Sequence, residues 1–99
     1  MYRAAQTIVE FTVGVSFEQF ISDRKLQFAL ERLIDIIGQD AVTVSEAFRS
    51  HHADISWQTV MTLRHVLAME DGAKQERMWD LVSVQVPELT AELESLTPY

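Results

Sequence analysis

Arg64 and His65 stand side by side in the segment TLRHVLAMEDG, residues 62–72, and are the pair in this chain best suited to chemistry. A guanidinium can bind a phosphate or steady a developing negative charge. An imidazole can accept or donate a proton near neutral pH. The segment therefore raises the choice between a chemical site and two polar residues on the wet face of a helix.

Arg64 lies three residues from both Met61 and Leu67, which places it on or near the apolar face of a predicted helix. A charge in that place must find a partner or reach solvent through a cleft. Three carboxylates of another predicted helix are possible partners, namely Glu31, Asp35 and Asp40. The residues alone leave a buried ion pair and a functional site both open.

His51 and His52 form a second candidate, following Arg49-Ser50 in a predicted turn. Adjacent histidines rarely hold one metal ion together, and no cysteine or Asp-rich partner stands at ligand spacing. We therefore expect a solvated turn here, and no metal and no cofactor in this protein.

The longest predicted helix carries two weaker candidates. Asp23-Arg24-Lys25 opens it, and helix starts can bind phosphate, but we favour a solvated helix end. Further along, three residues spaced four apart could do acid–base work on one face, namely Glu31, Asp35 and Gln39. A row of this kind is more often a solvated face, which is the interpretation we favour.

The composition favours one folded domain spanning residues 1–99, since 47% of the side chains are hydrophobic. No apolar run approaches the roughly 20 residues that cross a bilayer, and the first residues lack the pattern of a signal peptide. Cysteines are absent, which fits a reducing compartment. We therefore expect a cytoplasmic protein without a membrane partner.

The charge bears on possible partners. Fifteen acidic residues against eight basic ones give a formal net charge of −7. Nucleic-acid binding draws much of its affinity from Lys and Arg at phosphates, so this chain repels RNA and DNA in bulk. Only a local basic cluster could reverse that repulsion.

The elements that must position these residues are helices, because apolar residues recur at steps of three and four and no strand-like alternation occurs. The predicted helices are residues 2–13, a long helix with an apolar stripe over 26–48, residues 57 to about 69, and a last helix starting near 74. We predict an all-α fold, a four- to five-helix antiparallel bundle with short loops.

Particular residues indicate the helix boundaries. Gly14 ends the first helix, Ser16 with Gln19 is typical of a capping box, and Asp54 or Ser56 can cap the helix that begins at Trp57. Proline removes a backbone donor and clashes with the preceding turn, so the last helix should kink at its proline, Pro87.

Gly38 interrupts the long helix, where glycine costs about 1 kcal/mol relative to alanine. We expect another backbone to pack closely against it. Five large apolar residues also lie off the main helix faces, namely Phe20, Ile21, Phe28, Ile34 and Ile36. A bundle of this length cannot cover all of them, so we expect an exposed apolar patch and a homodimer.

Three blocks together resemble the HepT-like proteins, a branch of the HEPN superfamily: EFTVGVSFEQFISDRKLQFALERLIDIIGQDA, ISWQTVMTLRH and MWDLVSVQVPELTAELESL. The resemblance covers roughly residues 4–96. It implies an all-α, dimeric protein that acts as the toxin of a toxin–antitoxin module, paired with a minimal nucleotidyltransferase antitoxin. Active members are metal-independent endoribonucleases, so RNA is an expected partner.

The resemblance also implies a site, in which an Arg and a polar residue are followed by a His and, two positions later, a Tyr. Arg64 matches the Arg, and His65 matches the polar residue after it. Met69 stands where the His belongs, and Glu70-Asp71 stand where a Gly-Tyr-like pair is usual. In this chemistry the Arg steadies the phosphate and the His acts as general base or acid toward the ribose 2′-hydroxyl.

Methionine cannot transfer a proton at neutral pH, and the absent Tyr is the residue that the nucleotidyltransferase modifies to silence the toxin. We therefore expect a catalytically weak or inactive ribonuclease-fold module that dimerises and pairs with a minimal nucleotidyltransferase. The alternative is an active endoribonuclease that works through Arg64 and His65.

Overall fold

A computed structural model of the protein describes residues 1–53 and 55–95. Within these ranges the chain is helical and holds no β-strand, which confirms the all-α prediction. The helices, in chain order, are α1 (Tyr2–Thr12), α2 (Phe17–Ile21), α3 (Arg24–Thr43), α4 (Glu46–His51), α5 (Trp57–Val66), α6 (Asp71–Asp80), a π-helical segment (Leu81–Gln85) and α7 (Val86–Glu94).

Two pairs of long elements run antiparallel, as polar contacts between their ends show. The amino group of Met1 lies 2.8 Å from the Asp40 carboxylate, so the start of α1 meets the end of α3. The Ser56 amide, before α5, donates to Glu92 of α7 at 2.7 Å. Because α6, the π-helical segment and α7 follow without a break, the bundle has four long rods, with α2 and α4 as short additions.

A single hydrophobic core lies between these rods. In α3 the buried stripe comprises Leu30, Ile34, Ile37, Gly38 and Ala41. The last rod buries apolar residues that recur at steps of three and four in its sequence, namely Met78, Val82, Val86, Leu89 and Leu93. Leu96, which continues this spacing, lies outside the described residues. Helices pack in this way because an apolar stripe at helical spacing is stable only when it is removed from water.

The first two boundaries lie where the sequence predicts them. Gly14 follows α1 with a φ of 75°, a conformation that L side chains rarely adopt. The Gln19 amide donates to Ser16 Oγ at 3.1 Å, and the Ser16 amide donates to Gln19 Oε1 at 2.9 Å, so the predicted capping box is confirmed.

The predicted stripe over residues 26–48 is wrong at its end, because α3 ends at Thr43 and Phe48 belongs to α4. Val44 is extended, and Ser45 accepts a hydrogen bond from the Phe48 amide at 3.1 Å, which starts a new helix. β-Branched residues lose side-chain freedom in helices and serine favours N-caps, so this short run stops α3.

Helix α5 also ends earlier than predicted, at Val66. Residues 67–69 form a tighter turn in which the Ala68 and Met69 amides donate to His65 and Val66 carbonyls, both at 3.1 Å. Ser56 occupies the N-cap position, but its hydroxyl donates to Glu92 and does not cap. Asp54, the other predicted cap, lies outside the described residues.

The disturbance predicted at Pro87 takes the form of the π-helical segment immediately before it. The Val86 amide donates to the Leu81 carbonyl five residues back, which widens the last turn before the proline. A regular turn would bring the proline ring against the Ser83 carbonyl, so widening the turn removes a clash without ending the rod.

The five off-face apolar residues differ in burial. Phe20 and Ile34 are buried and Ile36 is half-buried, whereas Ile21 and Phe28 are exposed, so the predicted exposed apolar surface is present on a smaller scale. In the part of the chain that the structure describes, no helix has both the length and the apolar character that a membrane crossing needs.

Candidate functional site

Arg64 lies flat against Gly38, so the last turn of α5 and the second half of α3 meet at this pair. A Cβ added to Gly38 would lie 2.7 Å from Arg64 Cγ, closer than real Cβ atoms approach a neighbour, and 3.2 Å from Cδ, which is a tight contact. The neighbour that requires a glycine is thus the arginine side chain, and the predicted backbone neighbour is wrong. Gly38 is the notch that lets the Arg64 stem cross α3.

Beside this notch a shallow groove of about 340 Å³ separates α3 from the end of α5. Its lining comprises Asp35, Gly38, Gln39, Val42, Arg64, Leu67 and Ala68; we call it the Arg64 groove. The Arg64 side chain is exposed in this groove. The sequence left open whether Arg64 forms a buried ion pair or reaches solvent through a cleft, and the structure shows that it reaches solvent.

The three carboxylates considered as partners of Arg64 are bound elsewhere. Asp35 accepts from Arg32 at 3.1 Å and from Gln39 at 2.9 Å, and Asp40 holds the Met1 amino group. Glu31 pairs with Lys74 at the start of α6. Among residues 1–53 and 55–95 Arg64 makes no ion pair, so its guanidinium is available to an anion.

His65 is exposed but does not line the Arg64 groove. Successive residues project about 100° apart around a helix, which separates its imidazole from the direction that Arg64 takes. The imidazole stands in the last turn of α5, where a positive charge is favoured by the helix dipole. The structure thus brings only one of the two predicted catalytic residues into the groove.

Met69, which stands where the family resemblance implies a His, is 38% exposed in the turn after α5. Glu70 is the exposed N-cap of α6, and the Asp71 side chain lies outside the described part of the chain. The groove therefore offers one free cation, one carboxylate already engaged by two partners, and one amide. A proton-transferring imidazole is not among the groove-lining residues that the structure describes.

His51 is the last residue of α4 and His52 is its C-cap, so the turn predicted from Ser50 begins two residues later than expected. His51 Nδ1 lies 3.1 Å from the Ala47 carbonyl, and the His52 ring packs against Phe48 with centroids 4.3 Å apart and the ring planes tilted by 38°. No group of three metal-binding side chains converges anywhere in the described ranges.

The sequence did not predict that Gly38 makes room for the Arg64 side chain, although a glycine inside a long helix indicated a close contact. It also missed a second pocket beside the first turns of α3, lined by Phe28 and Gln75 among others. Phe28 was visible as an off-face aromatic residue, whereas nothing in the pattern around Gln75 distinguishes it.

Comparison with known proteins agrees with this architecture. The family model described as "Ribonuclease HepT-like" matches residues 1–96. "Probable ribonuclease HepT" of Thermococcus cleftensis is 32% identical over 95 residues, which cover 95% of this chain and 86% of the relative. No solved structure matches the chain significantly.

Two further relatives carry ribonuclease names. "Putative RNase MJ1380" of Methanocaldococcus jannaschii is 26% identical, over 93% of this chain and 85% of the relative. "Putative RNase TTE0752" of Caldanaerobacter subterraneus subsp. tengcongensis is 28% identical, over 95% and 85%. With a family model that spans nearly all of the chain, the protein belongs to the HepT-like family of the HEPN superfamily.

Proposed function

We propose that this protein is a HepT-like module that binds RNA in the Arg64 groove, dimerises, pairs with a minimal nucleotidyltransferase, and cleaves RNA weakly or not at all. The observation that carries the proposal is the groove itself, which holds an unpaired arginine and no histidine among its described lining residues.

The arginine suits an RNA phosphate. A guanidinium can form two parallel hydrogen bonds to phosphate oxygens, and it stays charged at any physiological pH. Arg64 needs no rearrangement to do so, because its stem already rests in the Gly38 notch and its head is exposed. This local cation counters, at one place, the bulk repulsion expected from a net charge of −7.

The acid–base half of the reaction lacks a matching group. Attack by a ribose 2′-hydroxyl needs a base within hydrogen-bond reach of that hydroxyl, and the departing oxygen needs an acid. Among the described residues that line the groove, Asp35 is the one carboxylate, and it already accepts hydrogen bonds from Arg32 and Gln39. The Met69 thioether can fill neither role, which supports binding over cleavage.

The partner follows from the family resemblance and from the same degenerate motif. An inactive nuclease has no need for a tyrosine that is modified to silence it, and Asp71 stands at that position. Pairing with the nucleotidyltransferase would then persist as a binding interaction, with the antitoxin partner and a homodimer as the expected assembly.

An active metal-independent endoribonuclease is the second candidate, favoured by the ribonuclease names of the relatives. In that case His65 would supply the proton transfer beside Arg64. Its imidazole would have to enter the cleft from another direction than Arg64, for example at the boundary between two copies.

Purified protein incubated with total RNA separates the two candidates, with Arg64→Ala and His65→Ala run alongside. We expect no cleavage above background, together with RNA binding that Arg64→Ala weakens roughly tenfold or more. Cleavage that both substitutions abolish would establish the enzyme instead.

The partner is tested by co-expression with the neighbouring gene. We expect a minimal nucleotidyltransferase to co-purify in a defined ratio. A genome without such a neighbour, together with no nucleotidyltransferase in the purified complex, would remove the basis for this part of the proposal.

A further inference from the structure

A second pocket opens at the other end of α3, where α2, α3 and α6 meet. Its volume is about 240 Å³. The lining residues are Ile21, Arg24, Gln27, Phe28, Glu31 and Gln75; we call it the Phe28 pocket. It combines an aromatic ring, a cation and two amides in a small space, which is the set of groups that recognises a nucleobase with its phosphate.

Phe28 is the platform of this pocket. Phe28 is 60% exposed near the start of α3, on the opposite side from the stripe that this helix buries in the core. The Arg24 guanidinium lies over the ring, 5.6 Å from its centroid. Exposed aromatic rings beside arginine stack bases of single-stranded nucleic acid, since every base has a flat π-face.

Gln75 contributes a side chain whose hydrogen bonding is incomplete. Its Oε1 is buried and has no hydrogen-bond partner among the described residues. An unpaired buried acceptor is costly, and rotation about the terminal torsion of glutamine is soft. A ligand edge that offers a donor beside an acceptor, as nucleobases do, would satisfy this amide after a small rotation.

The other polar groups of the pocket are already engaged. Gln27 Nε2 donates to the Phe20 and Ile21 carbonyls at 2.9 and 3.0 Å, which fixes the wall between α2 and α3. Lys74 pairs with Glu31 and so offsets the charge of that carboxylate. Arg24 makes no ion pair with any described residue, so the charge left at the pocket is positive.

The Phe28 pocket and the Arg64 groove open along the same helix. Phe28, Asp35 and Val42 recur every seven residues, which keeps them on one side of α3. The ten residues from Phe28 to Gly38 correspond to about 15 Å at the rise of an α-helix. A single RNA strand of a few nucleotides can therefore reach both places.

We propose that the Phe28 pocket is a nucleobase subsite for single-stranded RNA, an inference that rests on the proposed RNA binding in the Arg64 groove. The base stacks on Phe28, its hydrogen-bonding edge meets the Gln75 amide, and Arg24 contacts the adjoining phosphate. The strand then continues along α3 until another phosphate reaches Arg64.

The test compares variants by the affinity of the full-length protein for short, labelled single-stranded RNA. Phe28→Ala should weaken binding roughly five- to a hundredfold, the range found when a base loses an aromatic partner. Phe28→Tyr keeps the ring and should bind within about twofold of wild type. Phe11→Ala is the matched control, because Phe11 is 45% exposed on α1 and lines neither pocket.

A spectroscopic readout separates recognition from a general effect on the fold. Adenosine monophosphate added to nitrogen-15-labelled protein should shift the Gln75 side-chain amide signals, and Phe28→Ala should remove that shift while the remaining spectrum stays folded. A Gln75 signal that does not move at saturating nucleotide would overturn the base contact.

The outcomes distinguish the two proposals. If Arg64→Ala loses RNA binding while Phe28→Ala retains full affinity, the groove binds RNA and the Phe28 pocket is not a base subsite. If the wild-type protein binds no single-stranded RNA, both proposals are overturned.

Discussion

At the scale of single residues, Arg64 owes its position to the absence of a side chain at Gly38. The arginine stem fills the space that a Cβ at position 38 would need. The three α3 carboxylates considered as its partners, Glu31, Asp35 and Asp40, are each paired with another positively charged group. The groove therefore presents a charge that no described residue neutralises, which is why phosphate binding is the chemistry that the residues support.

Gly38→Ala tests this contact through its coupling to Arg64. In an Arg64→Ala background the added methyl finds room, so the free energy of unfolding should rise by about 1 kcal/mol from helix propensity. In the wild-type background the clash with Cγ should cancel much of that gain. Denaturant unfolding of the four proteins measures the coupling, and equal effects of Gly38→Ala in both backgrounds would contradict the contact.

The sequence predicted fewer features of the Arg64 groove than of the hydrophobic core. That Arg64 reaches solvent was one of two outcomes open from the sequence, because its candidate partners could only be excluded once their own contacts were known. Gly38 indicated a close approach but not its source, since any backbone or side chain can occupy the space beside a glycine.

At the scale of elements, the helices were predicted well where capping residues and periodicity agree, as at Gly14 and the Ser16–Gln19 capping box. The prediction failed at Thr43, because Val44 and Phe48 continue the apolar spacing across a break. Spacing alone cannot detect that break, since a short helix restarted by a serine cap preserves the three-four pattern.

The contact between α5 and α7 carries an element-scale prediction. Glu92 accepts from the Ser56 amide at 2.7 Å and from its hydroxyl at 2.9 Å, in a half-buried place. Glu92→Ala should lower the free energy of unfolding by about 1–3 kcal/mol, because two donors lose a charged acceptor. Thermal and denaturant unfolding measure this effect.

Glu88→Ala is the matched control, because Glu88 is an exposed acid on the same helix. Its effect should stay within about 0.5 kcal/mol. Equal losses for the two variants would show that the Ser56 contact contributes nothing specific to stability.

At the scale of the whole molecule, the exposed residues lead to predictions about how copies of the protein assemble and how salt changes its RNA affinity. Val42 and Val84 are each 60% exposed, but only Val42 lines the Arg64 groove. The family resemblance implies a dimer whose two sites face each other. In that arrangement Val42 should be buried between copies while Val84 stays in water.

Val42→Asp should therefore convert a dimer into a monomer, and Val84→Asp should leave the dimer intact. Sedimentation equilibrium of the two variants beside wild type measures this directly. A wild-type protein that is monomeric at all concentrations, or a dimer that survives Val42→Asp, would contradict this arrangement.

The acidic surface leads to a second prediction at this scale. If only Arg24 and Arg64 meet phosphates, the logarithm of the RNA affinity should fall with the logarithm of salt concentration at a slope of roughly −1.4 per bound copy. Arg64→Ala should reduce that slope by about 0.7. An exposed arginine outside both pockets provides the control, so Arg77→Ala should leave the slope unchanged.

We propose that the groove keeps an arginine for an RNA phosphate and holds no proton-transferring partner among its described lining residues. The single-turnover rate of RNA cleavage by wild type and by Met69→His, each with and without Arg64→Ala, tests this proposal. A restored general base or acid contributes about 10²- to 10⁴-fold, so Met69→His should cleave at least about a hundredfold faster than wild type, and only with Arg64 present. A wild-type rate equal to that of Met69→His would contradict the proposal.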